Sequence, residues 1–154
     1  MAHANDNNDF QVDQIDHVEL FVPDRHAAAE WYHRVLGLEI VDQFRFWAES
    51  SGGPLMISTP NGNTKFALFE GSPKGSKREV GFHLVAFRVN GKAFAKFLHR
   101  LPELNLIDWQ GRVVTADLVS DHTKAFSIYF CDPYGHHLEL TTYDYDVAKE
   151  TLKR

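Results

Sequence analysis

The readable part of the chain opens with apolar and polar positions in alternation. From Ile15, IDHVELFV has the period of a strand, and PDRHAAAEWYHRVLG then changes to helical spacing, with Asp24 as its cap and Gly37 as its stop. Apolar segments at Leu38 to Trp47, Pro54 to Thr59 and Thr64 to Glu70 predict three further strands. They are parted by SSGG and by PNGN, whose Asn-Gly is a hairpin signal. GSPKGSKREVG, Gly71 to Gly81, is almost without apolar residues and predicts a linker. The order then starts again. GFHLVAFRV reads as a strand and GKAFAKFLHRL as a helix with Phe94, Phe97, Leu98 and Leu101 on one face. Strands are predicted at Leu104 to Trp109, Val113 to Val119, Phe126 to Cys131 and His137 to Thr142.

The second half therefore repeats the first. His17 and His83 both lie near the start of their module's first strand, and PNG at Pro60 to Gly62 mirrors PYG at Pro133 to Gly135. The expected organisation is a flexible tail over residues 1–13 and a single domain over 14–144, with 145–154 as a C-terminal tail. Within the domain, module one covers about 15–70, the linker 71–80 and module two about 81–143. The fold class is α+β, each half curling a mostly antiparallel sheet around a shared pocket, with helices outside.

At 154 residues with 44% hydrophobic and 13% aromatic content, the chain is sized for one core. A net charge of -5 without a dense Lys/Arg run argues against nucleic-acid and anionic-membrane partners and favours a small molecule. The lone Cys131 excludes an internal disulfide or a multi-thiolate zinc site and fits a reducing cytoplasm. No signal-peptide pattern or bilayer-length apolar run is seen.

One position stands out against this background. Glu139 sits between leucines in HHLEL, where a strand should bury it, and a buried carboxylate needs a cation or hydrogen bonds. Two imidazoles and one carboxylate, here His17, His83 and Glu139, are the set that holds one face of a divalent iron or manganese ion. The alternatives remain open: histidines as hydrogen-bonded core or surface residues, and Glu139 in a salt bridge within the sheet. His137 shares Glu139's strand face and is a reserve ligand, whereas His136 points the other way and is expected to face solvent.

IDHVELFVPD, GFHLVAF and YFCDPYGHHLEL resemble the vicinal oxygen chelate superfamily, which includes glyoxalases, bleomycin and fosfomycin resistance proteins and extradiol ring-cleavage dioxygenases. The resemblance runs from about Ile15 to Tyr143. It implies paired βαβββ modules forming an open barrel around a metal, with His17, His83 and Glu139 at the three metal positions, and it implies a homodimer. His122, Ile128, Tyr129, Asp132, Pro133, Gly135 and Glu139 follow the order of the extradiol motif, with Ser120 a mild departure. By that resemblance Tyr129 donates to a metal-bound catecholate and His122 positions substrate. Fe(II) would be the cofactor, with Mn(II) or another divalent metal as the alternative, and a catechol and dioxygen would be the reactants.

Some features point elsewhere. Extradiol enzymes usually carry an acid/base histidine on the strand that here reads KFALFEG, where Glu70 is the nearest titratable group. The glyoxalase branch needs a fourth ligand where this chain has Ala67. Fosfomycin-modifying enzymes use two His and one Glu with Mn(II), which fits; their Ser- and Arg-rich loops are not found, and they stand as the runner-up, a three-ligand metalloenzyme of the superfamily. A metal-free drug-binding reading would use Phe44, Phe46, Trp47, Phe66, Phe69 and Trp109 as an aromatic lining.

Overall fold

The computed structural model describes residue 15 and residues 17–72 and 84–152. The N-terminal tail, residues 73–80 of the linker and His83 lie outside the described residues.

In module one, β1 (His17–Val22) leads into α1 (Arg25–Leu36). The carboxylate of Asp24 caps the helix by accepting from the backbone N–H groups of His26 and Ala27, and Gly37 ends it at φ +72°, a conformation that suits glycine. Next come β2 (Glu39–Ile40), a 3₁₀ turn (Asp42–Phe44), the short α2 (Arg45–Glu49), β3 (Leu55–Ser58) and β4 (Lys65–Glu70). Module two has β5 (Leu84–Arg88), α3 (Gly91–Leu104), a 3₁₀ turn (Ala116–Leu118), β6 (Ser120–Asp121), β7 (Phe126–Cys131) and β8 (His137–Thr142). The segment read as a C-terminal tail contains α4 (Tyr145–Leu152).

Each module makes a four-stranded sheet, in the orders β1-β4-β3-β2 and β5-β8-β7-β6. Both are mostly antiparallel, as expected, with one parallel pair each, formed by the first and last strands of the module. Neither closes into a barrel. The predicted repeat is visible in the turns. Gly62 donates to the Thr59 carbonyl and Gly135 to the Asp132 carbonyl, each glycine at positive φ, so PNG and PYG reverse the chain in the same way.

Three predicted strands do not form as expected. Only Glu39–Ile40 of the Leu38 to Trp47 run is strand, and most of it is the 3₁₀ turn and α2. The predicted strands at Leu104 to Trp109 and Val113 to Val119 give way, after the end of α3, to a loop with isolated bridges from Ile107 to Val113 and Cys131 and then the second 3₁₀ turn. There the Asp108 carboxylate accepts from the backbone of Gln110 and Arg112 and from the Arg112 guanidinium, which turns the chain instead of extending it.

Strand parity decides what each sheet buries. Val18, Leu20 and Val22 share a face with Phe66, Leu68, Leu55 and Ile57; Val85 and Phe87 share one with Ile128, Phe130, Leu138 and Leu140. These two apolar faces meet, with α1 and α3 packed among them. Phe66 contacts Phe87 edge-on at 5.5 Å, Trp31 reaches Phe130, and Phe97 lies 5.6 Å from Phe130. The opposite faces, carrying His17 and Glu139, turn outward. At the other end Gly91 allows α4 to approach, since a Cβ there would lie 2.9 Å from Val147. Among the described residues no helix is long and apolar enough to cross a membrane.

A polar bond inside this core ties the modules together. The buried Tyr32 of α1 donates its hydroxyl to Asp132 Oδ2 at 2.8 Å. Burial first, and the Asp132 charge second, push the Tyr32 phenol well above its usual range. Tyr32→Phe is expected to cost about 1.5 to 3 kcal/mol by chemical denaturation, because it removes a donor from a buried carboxylate. It should also flatten the alkaline limb of stability. As pH rises through the ordinary tyrosine range the unfolded chain releases this proton while the folded chain keeps it, so wild-type stability falls there and the variant's falls less.

Candidate functional site

The outward face of the second sheet is built by strand register. Glu139 of β8 pairs with Tyr129 of β7 on one side and Ala86 of β5 on the other; Thr141 pairs with Ser127, and His137 with Cys131 and Leu84. The DPYG turn delivers β8 to this register, and its acid is the reason it is rigid. Asp132 Oδ1 accepts from the backbone N–H groups of Tyr134 and His136, and Oδ2 lies 2.6 Å from His136 Nδ1 and accepts from Tyr32. His136 is therefore not solvent-facing as its strand parity suggested; it is folded against Asp132 with 18% of its side chain exposed.

Glu139, Tyr129 and His122 are neighbours on this face. His122 Nε2 is 3.0 Å from the Tyr129 hydroxyl, and the His122 turn is closed by its own N–H donating to the Ala125 carbonyl. Burial, then the negative charge of Glu139, raise the Tyr129 phenol above its usual range, so it remains an O–H donor at neutral pH. Ser127 was not singled out in the sequence; its buried hydroxyl donates to Glu139 Oε1 at 2.6 Å. Its only signal was position, two residues before Tyr129 on the same strand face. Among the described residues Glu139 has no ion pair with Lys or Arg.

His17 does not join this cluster within the chain. It lies on the outward face of the first sheet, its Nε2 4.0 Å from Glu19, beside a cleft of about 440 Å³. The cleft's described residues belong to module one, among them Phe44, Trp47, Met56, Lys65, Ala67 and Phe69. Phe44 and Trp47 stack in parallel at 4.3 Å, so the segment expected to be strand supplies a flat aromatic wall. Glu70 stands on the other face, opposite Val22, with its carboxylate 3.8 Å from Arg25. It does not replace the histidine missing from KFALFEG. Among the described residues, no three His, Cys, Asp or Glu side chains form a metal-holding group, and His83 is outside them.

A family model for the Glyoxalase/Bleomycin resistance protein/Dioxygenase superfamily matches residues 14–140. The chain belongs to this superfamily. No curated protein matches it. Solved structures similar to it share the fold at low identity. The oxidase ChaP-H1 has 24% identity and a TM-score of 0.61, covering 88% of this chain and 98% of its own. The fosfomycin resistance protein FosX from Listeria monocytogenes has 16% identity and a TM-score of 0.60, covering 90% and 99%. A glyoxylase/bleomycin resistance protein/dioxygenase domain from Frankia sp. EAN1pec has 16% identity and a TM-score of 0.64, covering 86% and 93%. The superfamily thus joins proteins of differing chemistry on one two-module scaffold.

The electrostatic coupling at Tyr129 can be measured directly. In a tyrosinate absorbance titration, Glu139→Gln should lower the pH at which Tyr129 ionises without restoring it to the ordinary value, because the charge is removed and the burial stays. An unchanged titration would contradict the proximity of the two groups.

Proposed function

We propose that this superfamily member is an Fe(II)-dependent oxidoreductase that cleaves a catechol-type ring with dioxygen beside its hydroxyls. The observation that carries this reading is the Glu139, Tyr129 and His122 cluster: an outward-facing carboxylate with hydroxyl donors, next to a protonated phenol braced by an imidazole. The donor chemistry fits a divalent ion, since Glu139 has a hydroxyl bond but no cationic side chain among the described residues. His17, His83 and Glu139 would hold Fe(II), with Mn(II) or another divalent metal as the alternative. When bound, the ion would supply Lewis-acid and redox chemistry to catechol and dioxygen together. Tyr129 donates its proton in a hydrogen bond to a substrate oxygen, and His122 fixes the direction of that phenol. Ala86, directly across from Glu139, leaves space for a planar ring.

We propose further that the working unit is a homodimer in which a second copy brings its His17 face to the Glu139 face. Two features support this: the site faces of one chain point away from each other, and β1 and β5 are edge strands with one paired neighbour apiece in their sheets. A metal-free binding protein for aromatic drugs is the second reading, favoured by the Phe44 and Trp47 wall.

Glu139→Ala is expected to abolish Fe(II) or Mn(II) binding in calorimetric titration, and Tyr129→Phe to keep the metal and lower catechol-dependent oxygen uptake about 10- to 1000-fold. A wild-type protein that binds no metal yet takes up planar aromatics would favour the second reading. Mixing unfolded His17→Ala and Glu139→Ala chains and refolding them together tests the shared site. Half-shared dimers should regain about a quarter of wild-type metal binding, while sites confined to one chain regain none.

A further inference from the structure

We infer that Ser127 is a positioning residue for Glu139: its hydroxyl fixes which carboxylate oxygen the protein keeps and which it presents. The inference rests on the reading of Glu139 as a metal ligand.

Ser127 is 1% exposed, and a buried hydroxyl spends its single proton where the gain is largest. Glu139 Oε1 is 2.6 Å away and Thr141 Oγ1 is 3.0 Å away. The shorter contact, to an ionised acceptor, takes the proton, as charge-assisted bonds are the stronger ones. Thr141, itself buried, has both Ser127 Oγ at 3.0 Å and the Phe126 carbonyl at 3.3 Å as acceptors for its own hydroxyl. Ser127 can thus receive a bond from Thr141 while giving one to Glu139, which leaves no polar atom of the pair idle.

The register gives this bond a direction. Ser127 faces Thr141, not Glu139, so the bond to Glu139 runs diagonally across the β7 and β8 ladder. It draws the carboxylate toward the Thr141 end of the strand and away from His137, which occupies the same face at the other end. Oε1 carries the Ser127 bond, which leaves Oε2 as the oxygen that this bond does not occupy. A ligand that is free to rotate would lose entropy on binding an ion and could offer either or both oxygens. Ser127 removes that freedom in advance, as hydrogen-bonded outer partners do for metal ligands generally.

The test is Mn(II) titration of the full-length protein by calorimetry, with thermal melts of the metal-free forms alongside. Ser127→Ala should weaken binding about 10- to 100-fold, and Ser127→Thr, which returns a hydroxyl, should restore it to within a few-fold, with both variants' metal-free melting close to wild type. Ser127→Cys, nearer in shape but a weak donor, should fall between and serves if the alanine variant does not fold. Binding by Ser127→Ala within twofold of wild type, while Glu139→Ala binds nothing, would overturn the inference and leave the metal reading standing. A loss that Ser127→Thr does not rescue, accompanied by lowered metal-free melting, would assign Ser127 to packing and overturn it too. Wild-type binding by Glu139→Ala would instead sink the metal reading on which it rests.

Discussion

The geometry of the site depends on one buried carboxylate that is not part of it. Asp132 gathers donors from its own turn and from α1 of the other module, so the reversal between β7 and β8 and the packing of the two halves share an anchor. A buried charge without those donors would be costly enough to unmake the turn. With them, β8 enters in one register, and a slip of a single residue would send Glu139 into the core and leucine to the outside.

From that register follows the division of labour between faces. The core faces of both sheets and the two long helices bury one continuous cluster of large apolar side chains. The outward faces are left with small, polar and titratable residues on module two and an aromatic wall on module one. The polar cluster around Glu139 and the aromatic wall therefore sit on different sheets, joined by a core that includes neither.

Much of this was legible in the sequence because it is written in local rules. The cap at Asp24, the stop at Gly37, the paired PxG turns and the apolar face of α3 each depend on a few neighbouring residues. Glu139, Tyr129 and His122 were singled out through an ordered motif that spans the turn before β7, β7 and β8. What escaped depends on distant partners. The apolar run FRFW looks like a strand until α2 is seen laid beside β3, and His136 was assigned by parity before the pull of Asp132 at the turn could be weighed. Ser127 is one serine among many until its hydroxyl is seen on a carboxylate twelve residues away.

The bond between Tyr32 and Asp132 spans 100 residues. During synthesis, α1 leaves the ribosome long before the turn that completes it, so its phenol must stay hydrated until the last quarter of the chain arrives. Module one alone lacks the acceptor that its buried Tyr32 hydroxyl has in the folded chain. The halves look like independent repeats, yet the protein commits to its fold late and as a whole, the behaviour expected where a decisive contact is remote in sequence.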